Sequence, residues 1–236
     1  MLLSGPPGTG KTLMAEAVAD RTRRPLFYLQ AEDLGINAAV LGANVKKVFQ
    51  MATEWDAVIL LDEADVFMAE RHPQDIARNE LVSIFLRELE YFRGIIFLTT
   101  NMYSSIDSAF RSRVSLHLLF ASLTTEARML IWRKFLDRLP PSPQAASAGL
   151  SPPDNEAAPD LEAELDEGVL TDEDIRELAA WQLNGREIKT AVKMTKTWCD
   201  HKGYALTLSR LENGIKVTSP HASKHTHEQD TSLYDE

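Results

Sequence analysis

The sequence predicts an α/β fold, a parallel sheet covered by helices and followed by a smaller helical unit. Three observations carry this. Short apolar runs alternate with amphipathic helical stretches from residue 2 to residue 138, the pattern of successive strand–helix units. Two of the runs, Val58-Ile59-Leu60-Leu61 and Ile95-Ile96-Phe97-Leu98, are apolar at every position, as strands buried on both faces must be. A glycine-rich turn, Gly5-Pro6-Pro7-Gly8-Thr9-Gly10-Lys11-Thr12, joins the first apolar stub to the first helix.

The elements follow in order. Leu2-Leu3 is a strand stub. Thr12 to Asp20 reads as a helix with Leu13, Met14, Ala17 and Val18 on one side, stopped by Pro25. Leu26 to Leu29 is the second strand. Ala43 to Thr53 is helical, with Val45, Val48, Phe49 and Ala52 spaced for one face. Val58 to Leu61 is the third strand. Ile76 to Phe92 is a long helix with Leu81, Val82, Phe85, Leu86 and Leu89 inward, ended by Gly94. Ile95 to Thr99 and Leu116 to Phe120 are the remaining strands, and Thr124 to Leu139 is a helix that offers Met129, Ile131, Trp132 and Phe135 for packing.

From residue 139 the composition shifts to Pro, Ser, Ala and acids, which cannot bury enough surface to order themselves, so 139–165 reads as a flexible linker. A helical unit is expected over 166–218. Thr171-Asp172-Glu173-Asp174 starts one helix like a capping box, and Asn184-Gly185 ends it. Arg186 to His201 is the next helix, with Ile188, Ala191, Val192, Thr195 and Trp198 on one face, and a short helix follows around Leu208 to Asn213. Residues 219–236 read as a disordered polar tail.

Charge and composition exclude several classes. The net charge is −10, but residues 1–138 carry only −1 and the remainder −9. Neither part has the basic face of a nucleic-acid binder, so nucleic acid is not an expected partner. The longest apolar runs are too short to span a bilayer, and no secretory leader is visible. With the single cysteine, Cys199, this predicts an intracellular protein, cytoplasmic or nuclear. The four Trp and the Cys read as packing residues, and the His residues over 221–227 do not read as metal ligands.

Gly5 to Thr12 satisfies G-x-x-x-x-G-K-[ST]. Its glycines let backbone N–H groups converge on phosphate oxygens, and the helix that follows points its positive end at the same charge. Lys11 would reach the β- and γ-phosphates, and the Thr12 hydroxyl would hold Mg²⁺. Val58 to Leu61 ends in Asp62-Glu63, placing Asp62 at the carboxyl edge of a buried strand, where it can orient water on Mg²⁺. Glu63 can then accept a proton from an attacking water. Ile95 to Thr100 ends in Asn101, which at the same edge could hydrogen-bond the γ-phosphate or the water.

In this order and spacing, GPPGTGKT, VILLDEAD, LTTN, IDSAFRSR and the later NGREI resemble the AAA+ ATPases, over nearly all of 1–138 and again over about 166–213. The resemblance implies a P-loop NTPase sheet of strand order 5-1-4-3-2, a helical lid, ATP with Mg²⁺, and a homo-oligomeric ring, often a hexamer, with ATP at subunit boundaries. It implies hydrolysis coupled to remodelling of a macromolecular partner, a protein or complex. It also implies that an arginine reaches the neighbouring subunit's γ-phosphate. Arg111 and Arg113 are the two candidates; Arg113 matches the Ser-Arg form and is favoured, and the choice stays open. Arg186 resembles the second sensor of the lid, with an ion pair to Glu187 or to an acid over 172–177 as the alternative.

Three departures accompany the resemblance. The segment Asp33-Leu34-Gly35-Ile36-Asn37, where the family carries an aromatic pore step, has none, leaving Leu34 for that role. Asp62-Glu63-Ala64-Asp65 also spells a helicase motif, but the second RecA-like domain such an enzyme needs is not legible after 139. Only Met1 to Ser4 precede the loop, against about five or six residues for a usual strand, and family residues that contact adenine lie upstream. The expectation is an N-terminally truncated fragment, with a nucleotide-binding or interaction fragment without turnover as the alternative function.

Overall fold

The structure, a computed structural model, describes residues 1–35, 37–140 and 170–224. Most of the expected linker, the tail from residue 225 onward and Ile36 lie outside the described residues. The chain divides into two compact units, Met1–Ser122 and Leu123–Glu236.

The first unit contains, in order, β1 (Leu2–Ser4), α1 (Lys11–Thr22), β2 (Leu26–Gln30), α2 (Ala31–Leu34), α3 (Ala38–Glu54), β3 (Val58–Asp62), α4 (Asp65–Met68), α5 (Ile76–Tyr91), β4 (Ile95–Thr100), α6 (Ser108–Arg113) and β5 (His117–Leu119). The five strands form one parallel sheet, β2-β3-β4-β1-β5, which is the expected order read from the opposite edge. Side chains alternate across it. Leu2, Ile59, Leu61, Ile96 and Leu98 face one cluster with Phe67, Phe85 and Phe110, while Leu3, Val58, Leu60 and Phe97 face the other with Ala15 and Ala19. Full burial of each large apolar side chain contributes about 1.5–3 kcal/mol.

Strand β1, between β4 and β5, is three residues long and paired on both sides, Leu3 opposite Thr99 of β4 and Leu118 of β5. Flanking bonds extend the ladder: Leu98 N–H donates to the Met1 carbonyl at 2.9 Å, Gly5 N–H to the Thr100 carbonyl at 3.3 Å and Phe120 N–H to the Ser4 carbonyl at 2.7 Å. The terminal ammonium of Met1 donates to the Ile96 carbonyl at 2.7 Å.

Several packing expectations change. α1 buries Lys11, Ala15 and Ala19 rather than Leu13 and Met14, because two alanines four residues apart let the helix lie close on the sheet. α3 begins five residues before the expected start, with the Asn37 side chain accepting from Ala39 N–H at 2.9 Å. Leu34 is 3% exposed within the main core, and its carbonyl accepts from the Asn44 amide at 2.9 Å, so it is a packing residue and not an exposed pore step. α5 buries Leu81, Val82, Phe85 and Leu86 as the period predicts.

The second unit contains α7 (Thr125–Leu136), α8 (Asp172–Ala180), α9 (Gly185–Lys202) and α10 (Leu208–Thr218). The sequence places α7 with the sheet domain; in the structure Trp132, with Met129 and Phe135, packs into one cluster with Ile175, Leu178, Ile188 and Leu211. Thr171 and Asp174 form the expected capping box of α8. Asn184 caps the start of α9 instead of ending α8, which stops at Ala180. On α9 the buried face continues from Thr195 to Cys199, leaving Trp198 exposed, and Trp55 is exposed as well. The polar stretch after α10 is tied down as far as it is described: Ser219 is buried, and Lys224 donates to Glu212 at 2.7 Å and to Glu177 at 3.3 Å. No helix among the described residues is long and apolar enough to cross a membrane.

Candidate functional site

The loop over Gly5–Gly10 leaves β1 and enters α1. Gly5, Gly8 and Gly10 have φ of 139°, 71° and 100°. At Gly5 a Cβ would come within 2.1 Å of the Phe120 carbonyl oxygen, so only glycine lets the chain turn past β5 there. Thr9 Oγ1 donates to the Pro6 carbonyl at 2.9 Å and closes the turn over Pro7. α1 has no side-chain cap and no acid in its first turn, so its positive end is not offset by a carboxylate.

Lys11 is buried and folds back into the loop, where Nζ donates to the carbonyls of Gly5 and Pro6, each at 2.8 Å, and to Asn101 Oδ1 at 2.7 Å. The lysine of the loop and the residue that ends β4 are thus in direct contact, ninety residues apart in the chain. Thr12 Oγ1 lies 3.2 Å and 3.5 Å from the two Asp62 carboxylate oxygens. This pair of hard oxygen donors suits Mg²⁺, which binds through one or two protein oxygens and keeps several waters.

Asp62 is held by further hydroxyls. Thr99 Oγ1 donates to its Oδ1, and the Tyr28 hydroxyl lies 3.4 Å from Oδ2. Glu63 is exposed and has φ of 53°. For a residue with a Cβ that conformation costs about 1–2 kcal/mol, offset here by neighbouring bonds: Glu63 N–H donates to Thr99 Oγ1 at 3.0 Å and Ala64 N–H to the Thr99 carbonyl at 3.0 Å. Next along β4, Thr100 Oγ1 donates to Asp65 Oδ1 and accepts from Met102 N–H at 2.8 Å, which fixes the backbone on either side of Asn101.

Arg111 and Arg113 sit on α6, both exposed. Arg111 lies over the Tyr103 ring at 5.0 Å, and that ring stacks on His117 at 4.4 Å. Arg113 donates to the Ala109 carbonyl at 3.1 Å and pairs with Glu90 at 3.5 Å. α6 is anchored by Asp107, which accepts from Ala109 N–H at 2.8 Å and from Arg71 Nε at 2.7 Å. Burial pushes the Asp107 carboxyl up, but the Arg71 bond and the N–H outweigh it and hold the group below its ordinary value.

Arg186, in the second unit, occupies the first turn of α9. Its N–H and that of Glu187 are capped by Asn184 Oδ1, each at 3.0 Å. Glu187 is engaged with the Asn184 N–H at 2.8 Å and with His221 at 3.0 Å rather than with the Arg186 guanidinium.

The sheet therefore brings Gly5, Lys11, Thr12, Asp62, Glu63 and Asn101 to one edge. Thr99 and Tyr28, partners of Asp62, are not among the residues the sequence singles out. The available signal is the pair of threonines, Thr99-Thr100, that closes the apolar strand beside the one carrying the acids.

The model of the "ATPase family associated with various cellular activities (AAA)" matches residues 1–122. A protein of Methanocaldococcus jannaschii named as a 26S proteasome regulatory subunit homologue is 30% identical over 148 residues, which cover 59% of this chain and 40% of that protein. The FIGL1 AAA domain-containing protein of Arabidopsis thaliana is 31% identical over 147 residues, 58% of this chain and 22% of that one. The chain thus spans well under half the length of these relatives. The crystal structure of the FIGL-1 AAA domain in complex with ADP aligns with a TM-score of 0.66 at 19% identity, covering 94% of this chain and 72% of that one, which supports the fold. With the family model covering the sheet unit from end to end, this chain belongs to the AAA family and carries its ATP-binding and ATP-hydrolysing domain.

Proposed function

We propose that this chain binds ATP on residues 5–12, hydrolyses it with Glu63 as general base, and couples turnover to remodelling of a protein partner within a homo-oligomeric ring. The observation that carries the reading is the meeting of three strand ends: Lys11 with Asn101 at 2.7 Å and Thr12 with Asp62 at 3.2 Å, with Glu63 next in the chain. Loop N–H groups and Lys11 bind the phosphates. Thr12 and Asp62 would hold Mg²⁺, which when bound screens the phosphate charge. Glu63 takes the proton of the attacking water, and Asn101 orients that water or the γ-phosphate.

Arg113 of a neighbouring copy supplies the guanidinium that stabilises the transferring phosphoryl group, with Arg111 as the other candidate. Both are exposed on one short helix, as a residue acting across a subunit boundary requires. Arg186 is the lid's contribution. A relative named for the proteasome favours a protein as the partner, and the buried Leu34 favours an action other than threading through a residue at that position.

Glu63→Gln tests the assignment: ATP binding is expected to persist while turnover is lost, and unchanged turnover would sink it. The trans role of Arg113 predicts that mixing Arg113→Ala with Lys11→Ala subunits restores part of the activity. Absence of recovery in rings shown to be mixed would count against it.

A further inference from the structure

We infer that Thr99 is a positioning residue of this site, whose single hydroxyl sets the Asp62 carboxylate and the Glu63 backbone together. The inference deepens the ATPase reading above and rests on it. Thr99 is 1% exposed and stands on β4 in register with Leu3. A hydroxyl has one hydrogen to give and lone pairs to accept with. An ionised carboxylate only accepts, so the hydrogen goes to Asp62 Oδ1, and a lone pair takes the Glu63 N–H at 3.0 Å. The directions of the two bonds cannot be exchanged.

Two consequences follow for the chemistry. With Oδ1 occupied by Thr99, the other oxygen, Oδ2, is the one nearest to Thr12, at 3.2 Å, which is the side where the two metal-holding oxygens meet. The Glu63 backbone, at φ of 53°, is also bracketed by one residue: its own N–H goes to the Thr99 hydroxyl and the next N–H, of Ala64, to the Thr99 carbonyl. A strained conformation without glycine persists only where its surroundings hold it. Here the hydroxyl that holds it also reads the position of the carboxylate. Thr99 acts through Asp62 and Glu63, the two groups its hydroxyl bonds.

The test uses the whole chain with Thr99→Val, which keeps the shape and removes the hydroxyl, and Thr99→Ser, which keeps the hydroxyl. Thr99→Ala removes the same hydroxyl with less bulk and replaces the valine variant if that one does not fold. In the valine variant kcat is expected to fall about 10- to 100-fold, as loss of an outer partner of a metal ligand does, while the Kd for ATP measured in EDTA is unchanged. The serine variant is expected to turn over like wild type. The Glu63 amide resonance, recorded without ATP or Mg²⁺, is expected to move upfield and lose exchange protection in the valine variant but not in the serine one. Wild-type kcat in the valine variant, a serine variant as slow as the valine one, or an unmoved Glu63 amide would each overturn the inference. Turnover surviving in Glu63→Gln would instead overturn the ATPase reading, and the amide signal keeps the two failures apart.

Discussion

Substituting Gly5 by alanine should be among the costliest single-methyl additions in the first unit. The conformation itself, φ of 139°, costs an L-residue about 1–3 kcal/mol. The new Cβ would lie 2.1 Å from the Phe120 carbonyl oxygen and 2.9 Å from its carbon. Those are backbone atoms beside β5, which cannot swing aside as a side-chain tip can, so repacking adds about 1–3 kcal/mol. Together the cost is roughly 2–6 kcal/mol, a large share of the 5–15 kcal/mol typical of a domain. Gly10 is the internal control. It too has a positive φ, 100°, but no atom of the described residues lies within 4 Å of its Cβ position, so Gly10→Ala carries the conformational cost alone, about 1–2 kcal/mol. Hydrogen exchange of the β1 and β4 amides through a urea series reports the first unit separately from the second. A Gly5→Ala variant no less stable than Gly10→Ala would refute the close approach of the loop to Phe120.

Two further outcomes follow from the packing. Because the Asp107 carboxyl is held below its ordinary value by Arg71, its stabilisation is fully present above about pH 4, the unfolded carboxylate value, and is lost as pH falls through the lower folded one. Arg71→Met should therefore be less stable than wild type at pH 7, with the gap closing below about pH 4; a gap independent of pH contradicts the pairing. In the second unit, a Cβ on Gly214 would lie 2.0 Å from Thr195 Oγ1, a buried hydroxyl without a hydrogen-bond partner among the described residues. Gly214→Ala should destabilise alone and be relieved by Thr195→Ala, with a coupling of about 0.5–3 kcal/mol; additive effects would show that α9 and α10 do not meet there.

The sheet and the edge where most of the candidate residues meet are legible in the sequence because their signals are local. Val58–Leu61 and Ile95–Leu98 announce buried strands, followed by the polar candidates Asp62 and, after two threonines, Asn101. What escaped depends on contacts far apart in the chain or on backbone angle. The sheet-facing side of α1 is made of Ala15 and Ala19, so an apolar count favours Leu13 and Met14, which the structure leaves partly or largely exposed. Thr99 reads as an ordinary strand residue until β3 is laid beside it. The positive φ of Glu63 leaves no mark on composition. Residues 219–224 look like tail because they are polar, yet Lys224 is fixed by Glu177 and Glu212, which lie on two different helices.

The most direct measurement is phosphate release from ATP by the purified 236-residue chain with Mg²⁺, alongside ATP binding by the same preparation and by its Glu63→Gln variant. The expected result is steady release by the wild type and, in the variant, binding retained with release abolished. Wild-type chain that binds ATP and releases no phosphate, or a variant that releases it at the wild-type rate, would contradict the assignment of hydrolysis to this strand edge.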